Sequence, residues 1–378
     1  MTFPAAGWYH EAEKTRRGRE GDGMRKDERV RLRLAGLAEG PVPMAALLGV
    51  QSQFLRCSRW AAGLRGIDLD RDETAYFRAW TLRGTMHIHA AADYGLYMHE
   101  GNRSPYIREY WADDTLLSAG EKERAAERML RLIESGVTAR KDIMEDFRQG
   151  GAAEAAMDYL FNAWGGLPRV LMERGQIVQT VSEELRYRLA PQTAPLAAEE
   201  AELEQMRRYL AGYAPCGVED AAYFFRYGKG KCRKLMEAAS AVSAGRLYWE
   251  DGLVCRRDAE PGGQGVYVLP SFDPLLAGYE KKTNPMVPPE HLRDIYTLQG
   301  IIRPVIVADG QCAAVWRVKR ETVYVRPFRD GAYLPAAEEQ LRRLTGCGAR
   351  SGPPASGTPL PFPAARSASL PRCHGPIP

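Results

Sequence analysis

Long apolar runs are missing from this chain of 378 residues. None reaches the ~18 residues that a membrane-spanning helix needs. The opening MTFPAAGWYHEAEKTRRGREGDGM also lacks the apolar core of a secretory signal. A cytoplasmic protein with no membrane partner is therefore expected. Cysteine is scarce too, with seven in all, at Cys57, Cys216, Cys232, Cys255, Cys312, Cys347 and Cys373. The number is odd, the spacings are wide and no two form a CxxC pair, which argues against a disulfide framework and against a cysteine-rich zinc site. Neither a P-loop nor a dinucleotide fingerprint is present, and GGQG at 262–265 reads only as a flexible turn between strands. A GxSxG elbow and a Ser-His-Asp order are absent as well. Any chemistry on this chain would run without a nucleotide, redox or metal cofactor. Neither sign of charge dominates: 52 basic against 48 acidic residues leave a net charge of +4 and a pI near 8.6. That excess suits a nucleic-acid partner without demanding one.

What is present has an ordinary globular profile, 45% hydrophobic and 26% charged, in a chain long enough for about two to four compact units. Residues 1–23 are polar and rich in Arg and Gly, and residues 346–378 are dense in Pro, Gly, Ala and Ser without an apolar period. Both are expected to be disordered. The periodic pattern begins just after Met24, an alternative start.

Between the two ends one cycle recurs. MRKDERVRLRLAGLAEG reads as a helix ending at Gly40, MAALLGV as a short helix, and FLRCSRWAAGLR as a third helix ending near Gly66. RDETAYFRAWTLRGTMHIHAA starts as a helix and becomes alternating strand on either side of a tight turn at Arg83-Gly84. Helix, short helix, helix and hairpin is the order of a winged helix-turn-helix. A second cycle fits residues 121–190, with RVLMERGQIVQTV as its wing, and a third fits 199–257, ending in strands RLYWE and LVCRR. From GVYVLPSFDPLLAGY onward the pattern turns strand-rich, with a hairpin of Val305–Val307, turn Asp309-Gly310 and Ala313–Val318. The expected fold is an α+β chain: three tandem winged helix-turn-helix units (24–118, 119–196 and 197–258) forming a concave cleft, then a small β-rich domain (259–345). A surface of that kind is suited to holding a duplex.

The junction LLGVQSQFLRCSRWAAGL sets Gln51 and Gln53 one residue apart, an unusual choice for a corner that only packs. Capping a helix end is the plain explanation. Near a helix boundary, however, residues i and i+2 need not diverge, so both amides can enter one cleft. In TLRGTMHIHA, period-2 alternation puts Thr85, His87 and His89 on one strand face and Met86 and Ile88 on the other. With Arg83, that polar face could line a DNA cleft. A two-histidine cation site is the alternative, but no third ligand is near in sequence, since His10, His99, His291 and His374 are scattered. Arg31, Arg33, Arg56, Arg59 and Arg65 recur along the early helices, either toward phosphate or on solvated faces. FFRYGKGKCRK, with Lys229 and Lys231, is a denser basic and aromatic cluster. Asp273 before Pro274 reads as a turn former, and Trp316 as core.

Four segments together, LLGVQSQFLRCSRWAAGLR, FRAWTLRGTMHIHAAAD, LPSFDPLLAGY and RPVIVADGQCAAVWR, resemble the AlkZ-type DNA glycosylases, in order and over roughly residues 26–335. The resemblance implies three winged helices in a C-shaped cleft closed by a β-rich part. It further implies excision of bulky N-alkylated bases from double-stranded DNA, including those that cross-link strands. The catalytic pair it implies is Gln51 and Gln53, in the Gln-x-Gln form with Ser52 where an apolar or small residue is usual. Arg56, Arg83, Thr85, His87, His89, Lys229 and Lys231 are then the candidate DNA-binding residues. No motif lysine adjoins the glutamines, so a monofunctional enzyme using water is expected, monomeric by default and associated with the nucleoid. A non-catalytic winged-helix DNA-binding protein, a regulator or architectural factor, is the alternative.

Overall fold

The chain alternates helices with antiparallel hairpins, in a computed structural model that describes residues 24–351 except 39, 100–105, 163–164, 263–264, 321 and 330. The expectations for 1–23 and for the tail beyond 351, with His10 and His374, lie outside the described residues. Helix α1 (Lys26–Leu37) buries Val30, Leu34 and Leu37, spaced so that they share one helical face. Helix α2 (Met44–Leu47) ends with Leu48 and Gly49 at φ 54° and 85°. These two positive values turn the chain directly into strand β1 (Val50–Gln51). Helix α3 (Leu55–Gly63) follows, and then strands β2 (Tyr76–Trp80) and β3 (Met86–Ala90) pair from Tyr76↔Ala90 to Trp80↔Met86. The helical start expected at RDETAYF does not form. Asp72 accepts from the Thr74 N–H (2.8 Å) and hydroxyl (2.7 Å), and this local turn competes with a helix before the strand begins.

Short helices α4 (Tyr94–Tyr97) and α5 (Tyr106–Ala112) lead to α6 (Ala119–Glu134). Ser118 and Glu121 bond reciprocally to each other's backbone N–H there, a capping box that fixes the start of α6. Helices α7 (Arg140–Gln149), α8 (Glu154–Leu160) and α9 (Gly166–Glu173) precede strands β4 (Ile177–Gln179) and β5 (Tyr187–Leu189). Here the wing read from RVLMERGQIVQTV needs correction, because its first half is the end of α9. Leu167, Val170 and Leu171 are wholly buried at helical spacing, and a short apolar run does not distinguish helix from strand.

The third cycle runs through α10 (Ala198–Tyr213), β6 (Cys216–Gly217), α11 (Val218–Phe225), α12 (Lys229–Ala241), β7 (Leu247–Glu250) and β8 (Leu253–Arg256). Strand β9 (Val266–Leu269) opens the C-terminal part, which continues with α13 (Pro274–Ala277), α14 (Leu292–Ile295), β10 (Val305–Ala308), β11 (Gln311–Lys319), β12 (Thr322–Pro327), α15 (Leu334–Thr345) and β13 (Gly348–Ser351). The expected disordered tail from Gly346 is corrected in its first residues. Gly346 caps α15 at φ 69°, and 348–351 add a parallel strand to β12.

Three sheets result, ordered β1-β3-β2-β4-β5, β6-β8-β7 and β13-β12-β11-β10-β9. The hairpins of the first two cycles share one sheet through Arg78↔Gln179, and one apolar core runs through all three cycles. Two buried ion pairs tie distant parts together. Arg33 meets Asp220 at 2.8 Å, and Arg65 meets Asp273 at 2.9 and 2.8 Å. Arg33 and Arg65 therefore occupy neither a phosphate-facing surface nor a solvated helix face.

Candidate active site

Antiparallel pairing of β1 with β3 sets Val50 opposite Ile88 and Gln51 opposite His87. Because successive strand side chains alternate, Val50 and Ile88 enter the core while Gln51 and His87 share the other face. Burial alternates on through Ser52 and Gln53. Ser52 is completely buried. Its N–H donates to Met86 O (2.8 Å), its hydroxyl accepts from Arg78 Nε (3.1 Å), and its carbonyl accepts from Arg78 Nη2 (2.6 Å). The middle residue of the triplet is thus an anchor, and both flanking glutamines are released to the accessible side. Their amides meet there, with Gln51 Nε2 donating to Gln53 Oε1 at 3.1 Å. Ser58 Oγ donates to the carbonyls of Gln51 (3.0 Å) and Phe54 (3.1 Å), tying the triplet to α3.

Arg83 supplies the charge. It sits in the single 3-10 turn between β2 and β3, in the left-handed region (φ 59°, ψ 14°), and the guanidinium lies back against the sheet. Nη2 donates to Gln51 Oε1 (3.1 Å) and faces His87 Nε2 (3.2 Å), and Nη1 donates to Phe224 O (3.2 Å). The guanidinium carbon stands 4.8 Å from the Phe224 ring centroid, so α11 of the third cycle closes this side. Burial pushes the Arg83 pKa down to about 10, which leaves it charged at neutral pH. Burial first, and the Arg83 charge second, push His87 down to about 3. The His87 ring is therefore neutral. Its Nδ1–H donates to Thr85 O (3.0 Å), and Nε2 is left as the acceptor facing Arg83.

These contacts bring Gln51, Gln53, Arg83 and His87 together, with Thr85 at the hairpin turn, its hydroxyl on Leu82 O at 3.2 Å. His87, at 2% exposure, meets the pair only through Arg83 and does not itself line an open cleft, which corrects that reading. His89 requires the same correction. It shares its strand face with His87, but at 1% exposure it is inside the protein, bonded to Thr81 Oγ1 (2.8 Å) and stacked on Tyr97 at 3.6 Å. Helix α4 covers that end of the sheet, so His89 does not line an open cleft. Arg56 is exposed on α3, with its guanidinium 4.7 Å from the Trp60 ring. Lys229 and Lys231 open α12 and pair with Glu219 (3.0 Å) and Glu202 (2.6 Å). Asp273 caps α13, accepting from Leu275 N at 3.0 Å, besides holding Arg65. Trp316 donates its indole N–H to Leu269 O and Val305 O inside the C-terminal sheet.

Sequence reasoning passed over Arg78 and Phe54, and placed Phe224 only in a basic and aromatic cluster. Arg78 did leave a trace, as a lone charge inside the apolar strand YFRAW. Phe54, next to Gln53, keeps 46% of its surface exposed, and its ring lies 5.8 Å from that of Phe272. The cluster at 224–234 did not show the contact Phe224 makes, because that contact is the meeting of α11 with a hairpin 141 residues away.

A family model described as DNA glycosylase AlkZ-like matches residues 44–346. A relative from Streptomyces sahachiroi, an interstrand DNA cross-link repair glycosylase, is 21% identical over 314 residues, covering 76% of this chain and 85% of the relative. The solved structure of Streptomyces sahachiroi DNA glycosylase AlkZ matches with a TM-score of 0.64 at 19% identity, covering 88% of this chain and 100% of that one. That likeness concerns the fold, whereas the family match spans most of the sequence. The chain belongs to the AlkZ-like family of DNA glycosylases and is a DNA N-glycosylase.

Proposed function

We propose that this glycosylase excises bulky N-alkylated purines from double-stranded DNA, unhooking interstrand cross-links among them, by direct attack of water with Gln51 and Gln53 as the catalytic pair. The observation that carries the proposal is the amide pair itself, neutral and coupled to a part-buried cation. An N7- or N3-alkylated purine already bears a positive charge. When its C1′–N bond breaks, the bonding electrons neutralise the base, and no acid is needed to protonate the leaving group. The remaining task is to place water opposite that bond and to stabilise the oxocarbenium-like sugar. Gln53 Oε1 accepts one hydrogen bond from Gln51 and has a second lone pair for the water. As the water oxygen bonds to C1′ its proton passes to solvent, since an amide oxygen is too weak a base to keep it. A carboxylate would stabilise the sugar cation better, so a glutamine pair suits substrates that are already good leaving groups.

The three helix-and-hairpin cycles serve in this reading as winged helices arranged as a concave cleft around one duplex. Lys229, Lys231 and Arg56 contact phosphate, exchanging their present partners for it, and the exposed Phe54 ring offers a stacking surface beside Gln53. The protein acts as a monomer on nucleoid DNA. The test is release of base from duplexes carrying N7-methylguanine or a nitrogen-mustard cross-link, by the parent chain and by Gln53→Ala. Abasic product from the parent, lost in a variant that still binds DNA, is expected. Binding without release from either adduct would sink the catalytic reading and favour a winged-helix DNA-binding protein.

A further inference from the structure

We propose that Arg83 is a positioning residue that acts on the reaction through Gln51, setting the direction in which both amides of the pair point. The inference rests on the catalytic reading of Gln51 and Gln53.

Three features of Arg83 together point to that role. First, it has no acid. Arg33 and Arg65 are buried against Asp220 and Asp273, whereas among the described residues no carboxylate pairs with Arg83. Its donors go instead to a backbone carbonyl, to an amide oxygen and toward an imidazole. A charge-assisted bond to a neutral amide is stronger and better directed than an amide-amide bond. Second, its backbone is left-handed at φ 59°, a conformation that costs a residue with a Cβ about 1–2 kcal/mol. Glycine would avoid that cost, so an arginine here points to use of the side chain. Third, every contact around the pair agrees in donor direction. His87 gives its Nδ1–H to Thr85 O and turns a lone pair toward Arg83. Gln51 turns its oxygen to Arg83 and its NH2 to Gln53 Oε1. Rotating the Gln51 amide by half a turn would set NH2 against guanidinium and oxygen against oxygen. Arg83 therefore excludes that rotamer, and through it makes Gln53 Oε1 the acceptor of the pair, with one acceptor site left.

The role differs from a phosphate contact in a measurable way. Single-turnover base release, and DNA affinity as a function of salt, would be measured for the parent, Arg83→Met, Arg83→Lys, Gln51→Ala and the two double variants that combine an Arg83 change with Gln51→Ala. Arg83→Met is expected to slow release about 100-fold, the order of loss for misplaced catalytic groups, with the salt slope of binding unchanged. In the Gln51→Ala background it should cost nothing more, because the group it positions is gone. Arg83→Lys keeps the charge without the planar fork and should recover part of the rate. Should Arg83→Met fail to fold, Arg83→Lys in both backgrounds gives the same cycle. Losses that multiply, or a salt slope reduced by about 0.9 as for one lost phosphate contact, would show that Arg83 grips DNA directly and overturn the inference alone. A parent chain that releases no base would overturn the function and the inference with it.

Discussion

Asp273→Asn tests whether the corner that carries Gln51 and Gln53 is held by the buried ion pair of Arg65 and Asp273. Arg65 and Asp273 are 1% and 0% exposed at their side chains and share two hydrogen bonds of 2.9 and 2.8 Å. They join the end of α3, whose first turn adjoins Gln53, to the segment 271–277, whose Phe272 packs on Phe54. Asparagine has almost the same shape and keeps an oxygen for Leu275 N, so the cap of α13 survives. What is lost is the charge opposite a guanidinium that is buried away from water. Removing one partner of a buried pair costs about 3–5 kcal/mol. The lower end applies here, since Arg65 keeps its bond to Ala61 O at 2.8 Å. Urea unfolding followed by circular dichroism is therefore predicted to show a loss of about 3 kcal/mol for Asp273→Asn. Arg65→Met should lose a similar amount, by stranding the carboxylate. The double variant should lose less than either, because no unpaired charge remains. A single Asp273→Asn change within about 0.5 kcal/mol of the parent, the range of an ordinary surface substitution, would refute the reasoning.

Two other predictions concern the sheet that carries the glutamines. Gly49 precedes β1 at φ 85°, and a Cβ there would stand 2.4 Å from His89 Nδ1 and 2.7 Å from Ile88 O. Gly49→Ala adds left-handed strain to overpacking of a ring already stacked on Tyr97. It is predicted to lose about 2–5 kcal/mol in urea unfolding and to slow base release more than Gly40→Ala, whose Cβ meets nothing within 4 Å. Stability should also fall with acid. His87, with its pKa held at about 3, and His89, well below its ordinary value, bind fewer protons folded than unfolded. Their contribution is whole above the unfolded value of about 6.5 and is lost as pH falls from there toward about 3. A urea midpoint that declines between pH 7 and 4.5, and declines less in His87→Gln, is expected. A flat profile would mean that these rings are not buried neutral.

Elements that carry their own signal were legible in the sequence. The Asp309-Gly310 turn holds its hairpin at φ 51° and 75°, and Trp316 lies in the core; Asp273, read as a turn former, bends the chain as the cap of α13. The misreadings have physical causes. Asp72 closed a side-chain turn where helical spacing was read, the short apolar run at 170–172 satisfied strand and helix alike, and His89 alternated correctly on its strand but toward a face that α4 covers. Arg33 and Arg65 looked like surface charges, because the carboxylates that justify burying them are 187 and 208 residues away.

The candidate site divides in the same way. Residue type and short-range spacing, by themselves, determined that two amides could meet at residues 51 and 53 and that a tight turn would form at Arg83-Gly84, since both follow from backbone periodicity over a few residues. Only the tertiary structure decided what surrounds them. The pairing of β1 with β3 sets Gln51 opposite His87, Arg78 locks Ser52 inward, and α11 brings Phe224 against Arg83. Burial, donor direction and charge at the pair depend on groups far apart in the chain. Their positions are selected by the free energy of the packed whole and by no local preference.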